Sequence, residues 1–118
     1  MELKISNQSH AGESIVTIRG EIDLYTAPQL HSELTDALSD GTHRLVVDMS
    51  RVEFCDSTGM STLLSAMKRA RENGGDLELA ALTPAVRKVV DVTGLNAVFT
   101  IVDSVAERTG TAGSPTSA

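Results

Sequence analysis

The chain has 118 residues, 41% hydrophobic and 22% charged, with a net charge of −6. That length suits one domain with a real core, and the composition is ordinary for a globular protein. The acidic balance, with no run of Lys and Arg to overrule it, argues against nucleic acid as a direct partner, since phosphate binding needs a basic surface.

The aromatic residues are Tyr25, Phe54 and Phe99. The core is therefore expected to be aliphatic, with no platform for stacking bases. A lone cysteine, Cys55, cannot close an internal disulfide, which suits a reducing compartment. No apolar run approaches the roughly 18 residues of a membrane span, and Met1-Glu2-Leu3-Lys4 lacks the apolar stretch of a signal peptide. A cytoplasmic protein without membrane contact is expected.

Residues 2–6 and 14–19 alternate polar and apolar, so both read as strands with Leu3, Ile5, Val16 and Ile18 inward. His10-Ala11-Gly12-Glu13 would join them as a hairpin, and Gly20 would end the second strand. Glu21 to Tyr25 reads as a loop. Thr26-Ala27-Pro28-Gln29 opens a helix, with Thr26 as N-cap, Pro28 in the first turn and Gln29 placed for a capping box. Leu30, Leu34, Ala37 and Leu38 form its buried stripe, and Gly41 stops it.

Arg44 to Asp48 reads as the third strand, followed by a loop from Ser50 to Ser57. Asp56 or Ser57 can cap the next helix by accepting a bond from an orphan amide of the first turn. Met60, Leu63, Leu64 and Met67 lie on one face of that helix, which ends at Asn73-Gly74-Gly75. Asp76 to Ala81 alternates as a fourth strand. Thr83-Pro84 opens a third helix with Val86, Val89 and Val90 buried, closed by Gly94 and Leu95. Val98 to Val102 reads as a short last strand, and Ser104 to Glu107 as the start of a closing helix. From Thr109 the chain has neither charge nor apolar period, so residues 109–118 are expected to be a disordered tail after a domain of residues 1–108.

The order predicts an α/β fold: a mixed sheet of four or five strands packed with about four helices. Two right-handed βαβ units would bring three loops to one end of the sheet: Glu21 to Tyr25, Ser50 to Ser57, and Leu82 to Ala85. Asp23 and Ser57 would then share a surface, at the end where ligands and partners of such sheets arrive.

Gly20-Glu21-Ile22-Asp23, Thr26-Ala27-Pro28, Leu45-Val46-Val47-Asp48, Asp56-Ser57-Thr58-Gly59-Met60 and Thr93-Gly94-Leu95, in this order and spacing, resemble the anti-sigma factor antagonists of bacteria, in the STAS domain family. The resemblance spans roughly residues 2–108. It implies a protein that binds an anti-sigma factor, itself an ATP-binding serine kinase, and so frees a sigma factor for transcription. It implies that the kinase switches the antagonist off by phosphorylating Ser57, with Thr58 the less favoured neighbour, and that a metal-dependent serine phosphatase reverses this. Glu21, Asp23, Tyr25, Asp56, Ser57, Thr58, Gly59, Met60 and Ser61 become the expected partner-binding residues. Gly59 fits either close approach of a partner or a permissive turn. The sequence departs from the family's usual Leu-Gly after this Gly, with Met60-Ser61. Met keeps the volume of Leu, whereas Ser61 adds a side chain on the first turn of the helix and bears on partner choice. The rival use of such a domain is as a scaffold or regulatory partner in another phospho-signalling or stress complex.

An enzyme is not expected. A serine hydrolase needs a base within reach of Ser57, and His43 precedes the third strand while Ser57 follows it, roughly 16 Å away. His10 would lie at the same far end, and His31 reads as a surface residue. No Gly-x-Ser-x-Gly elbow, phosphate loop or Cys/His metal spacing is present, so no cofactor and no metal are expected.

Overall fold

The computed structural model describes residues 3–10, 12–39, 42 and 44–105. The two alternating N-terminal segments form an antiparallel pair, β1 (Leu3–His10) and β2 (Glu13–Ile22), in register from His10↔Glu13 to Leu3↔Gly20. Helix α1 (Ala27–Ser39) leads to β3 (Arg44–Cys55), α2 (Ser57–Glu72) to β4 (Asp76–Ala80), and α3 (Pro84–Thr93) with a 3-10 turn (Leu95–Ala97) to β5 (Thr100–Val102). The sheet order is β1-β2-β3-β4-β5, with β2 to β5 parallel.

Strand order follows chain order, so right-handed crossovers lay all three helices on one face of the sheet. The core agrees. Val16, Ile18, Leu45, Val47, Leu77 and Leu79 from the strands pack with Leu30, Leu34, Leu63, Met67, Val86 and Val90 from the helices. Helix periodicity and strand alternation meet in one aliphatic layer, each fully buried side chain contributing about 1.5–3 kcal/mol relative to exposure.

Several boundaries differ from the sequence reading. Gly20 does not end β2: at φ 122 it sits in a register shift, and the strand resumes with Glu21↔Phe54 and Ile22↔Cys55. The segment from Ser50 is not a loop but the second half of β3. Two shifts, each adding one residue to β3, make its buried positions Met49, Val52 and Cys55 fall every third residue. That spacing is neither the period of a strand nor of a helix, so the pattern hid the strand.

Helix α1 is not opened by a Thr26 capping box. The Thr26 hydroxyl accepts from the Asp23 amide and donates to the Glu21 carbonyl, while the Gln29 amide donates across to the Leu3 carbonyl at 2.9 Å. Strand β4 is buried over residues 77–80, and Glu78 among them meets the Arg44 guanidinium at 3.4 Å; it ends at Ala80, and Ala81 turns away at φ 59. Strand β5 begins only at Thr100, since Val98 and Phe99 close the preceding turn on Leu95. Three helices and the 3-10 turn stand among the described residues where about four helices were expected. The stop at Gly41, the closing helix beyond Val105, the tail, His43 and the His10 side chain lie outside the described residues.

Candidate functional site

Strands β2 and β3 end side by side, and their pairing carries into the start of α2. The Asp56 amide donates to the Ile22 carbonyl at 3.0 Å. Asp56 then caps α2: its Oδ1 accepts from the Gly59 amide at 2.9 Å, and its carbonyl accepts the first helical bond from Met60 at 2.9 Å. Of the two candidate caps it is Asp56, which leaves Ser57 as the first helical residue. Ser57 is exposed, and its hydroxyl has no hydrogen-bond partner among the described residues. Among the described residues no base accepts from it. As a helix N-terminus, the first turn carries partial positive charge.

The neighbouring residues divide by direction. Thr58 is half-buried and Ser61 exposed. Gly59 is packed so closely that a Cβ there would stand 2.5 Å from Ile22 Cγ2 and 2.7 Å from Cys55 Sγ. Met60 points into the core at 2% exposure. Of the expected contact residues, Gly59 and Met60 therefore offer a surface no side chain. The role of Gly59 is close packing inside this domain, where even a methyl group does not fit. Cys55, at the end of β3, is buried; burial first and the Asp56 charge second push its thiol up to about 12, so it stays protonated.

The loop after β2 lies beside this turn. Asp23 Oδ1 accepts from the amides of Tyr25 (2.9 Å) and Thr26 (3.0 Å). Those bonds, the Thr26 amide's first, hold its carboxyl below the usual carboxylate range. Asp23 thus shapes its own loop, a structural part that the sequence reading did not give it. Tyr25 stands out at 88% exposure and Leu24 at 63%. Leu24, Pro28 and His31 of this loop and α1 face Thr58, Ser61 and Thr62 of α2 across a groove of about 410 Å³. The third loop, residues 82–85, meets the C-terminal half of β3, where the Thr83 hydroxyl donates to the Val52 carbonyl at 2.9 Å.

Leu24 was not singled out from sequence. Its signal was an apolar residue in a loop that joins no helix stripe, next to the one tyrosine of the chain. Phe54, 46% exposed, was hidden by the same bulges that hid β3. Among the described residues no group of three His, Cys, Asp or Glu side chains could hold a metal ion, and no helix is long and apolar enough to cross a membrane.

Residues 4–108 match the STAS domain family. An anti-sigma-B factor antagonist of Staphylococcus epidermidis is 30% identical over 95 residues, covering 80% of this chain and 88% of that protein. Among solved structures, an anti-sigma factor antagonist from Mycobacterium paratuberculosis is 30% identical with a TM-score of 0.81, over 90% of each chain. The Bacillus cell fate determinant SpoIIAA in its phosphorylated form is 21% identical with a TM-score of 0.70, over 90% of this chain and 96% of that one. The chain belongs to the STAS domain family.

Proposed function

We propose that the protein is an anti-sigma factor antagonist that binds its anti-sigma factor while Ser57 is unmodified and releases it when Ser57 is phosphorylated. The observation that carries this reading is the exposed Ser57 hydroxyl at the first position of α2, fixed by the Asp56 cap beside the exposed Leu24 and Tyr25. The names of the relatives support it, and the fold is compatible with a modified state, since SpoIIAA has been solved phosphorylated.

The physics of the switch is local. A phosphate adds about −1.5 to −2 charges and three acceptor oxygens. Within the domain it would meet the dipole and free amides of a helix N-terminus, which favour an anion. At a partner surface it would have to shed water or face carboxylates. A loss of about 3 kcal/mol there weakens binding roughly a hundredfold. The complex breaks and the domain stays folded. Glu21, Asp23, Tyr25, Asp56, Thr58 and Ser61 are the surface residues around Ser57 in this reading, and the groove side chain Leu24 joins them. Thr58 is the poorer acceptor because it is half-buried.

In this reading the chain is a substrate and not an enzyme. The anti-sigma factor is the ATP-binding serine kinase, and a metal-dependent serine phosphatase resets the switch. The test is mass spectrometry after incubation with the anti-sigma factor and ATP. Phosphate on Ser57 is expected, abolished by Ser57→Ala; phosphate placed first on Thr58 or elsewhere overturns the assignment.

A further inference from the structure

The sequence shows no cluster of basic residues, but the fold builds one. Lys4 of β1 stands directly opposite Arg19 of β2, and Arg19 pairs in turn with Arg51 of β3. Each of the first two sits beside a core residue on its strand, Lys4 next to Ile5 and Arg19 next to Ile18. By strand alternation they project from the sheet face away from the helices. Arg51 turns to the same side at the register shift, and Lys4, Ser6, Thr17, Arg19 and Arg51 line one depression of about 320 Å³. All three cations are exposed, and none forms an ion pair among the described residues. Strands about 4.8 Å apart make this a ridge roughly 10 Å long.

Like charges directly opposite on neighbouring strands destabilise a sheet. Three in a row, on a chain with ten basic residues against sixteen acidic ones, are a cost that folding does not explain. We propose that the Lys4–Arg19–Arg51 ridge is a docking surface for a short acidic segment of a partner protein. The chemistry fits that occupant. The depression is shallow and each exposed pair is weak in water, so a lone small anion would be held poorly, whereas several carboxylates on one segment act together. The ridge is also short. Asp48, paired with Thr17, and Glu53, which lines the adjoining depression with Arg19 and Arg51, bound it with negative charge. A continuous polyanion, which carries a charge about every 1.7 Å in duplex DNA, would run onto those acids; a segment with three or four carboxylates would not.

The proposal is independent of Ser57, and its test involves neither kinase nor phosphate. The full chain is titrated with a fluorescently labelled hexaglutamate peptide, and the amide shifts of the protein are followed by NMR. Saturable binding is expected, centred on Lys4, Arg19 and Arg51 and weakening as salt rises. Arg19→Glu, which replaces two repulsive cross-strand pairs with attractive ones, is expected to raise the melting temperature while weakening peptide binding at least tenfold. Arg51→Gln is the milder second variant, with a loss of about twofold to fivefold. The proposal is overturned by unsaturable binding, by shifts centred elsewhere, by Arg19→Glu binding like the parent or melting lower, or by tighter binding to orthophosphate, duplex DNA or phosphatidylglycerol vesicles than to the peptide.

Discussion

Two carboxylates, Asp56 at the site and Asp76 far from it, each tie down local structure. Asp56 satisfies an orphan amide of α2 and aims Ser57 outward. Asp56→Ala is expected to cost about 1 kcal/mol of stability in chemical denaturation, and Asp56→Asn to recover most of it. Far from the site, Asp76 binds the Arg71 guanidinium at 2.8 Å and the Thr100 hydroxyl at 2.9 Å. Burial pushes its carboxyl up, but Arg71, Thr100 and the Leu77 amide together hold it below the usual range. A depressed carboxylate stabilises the fold above its unfolded value, 3.8 for Asp76, and loses that contribution as pH falls through its folded value. Asp76→Asn is therefore expected to lower the melting temperature at neutral pH and to flatten its fall below about pH 4. The cap at Asp56 was legible because Asp, Ser and Thr before an apolar helical stripe form a local signal. The Asp23 turn was less so, because the Thr26 hydroxyl that would cap a helix is instead spent on Asp23 and Glu21, a choice set by the loop's return over β2.

At the scale of elements, the helices were read closely and the parallel strands less well. Helix α2 runs Ser57–Glu72 and α3 runs Pro84–Thr93, with Thr83 accepting from Val86 and Gly94 in the left-handed conformation at φ 77. Their stripes and caps are sequence-local. The second half of β3 was not, because its register is set by bulges against β2 that no window of sequence contains. Those bulges matter to the site: they deliver Cys55 against Ile22, and the pair forms the floor on which Gly59 rests. Gly59→Ala would drive a methyl group into that floor. It is expected to destabilise by about 1–3 kcal/mol in denaturant, and to weaken partner binding indirectly by tilting the first turn of α2. A variant as stable as the parent would show that Ile22 and Cys55 can give way.

For the whole molecule, one sheet separates two surfaces. The helical side carries Ser57, Leu24 and Tyr25 at the ends of β2 and β3, and the opposite face carries the Lys4–Arg19–Arg51 ridge across β1, β2 and β3. The first surface could be anticipated from sequence, since parallel βαβ topology brings those loops together. The second could not, because its residues are scattered and meet only through strand register. The composition of residues 109–118, which lack charge and apolar period, predicts that deleting residues 110–118 leaves the thermal midpoint unchanged. The central claim is that modification at Ser57 acts on an interface and not on the fold. Calorimetric titration of the anti-sigma factor with unmodified protein and with protein phosphorylated only at Ser57 tests it most directly. The account predicts binding for the first, binding about a hundredfold weaker for the second, and the same melting temperature for both; equal affinities, or a phosphorylated form that melts well below the parent, would contradict it.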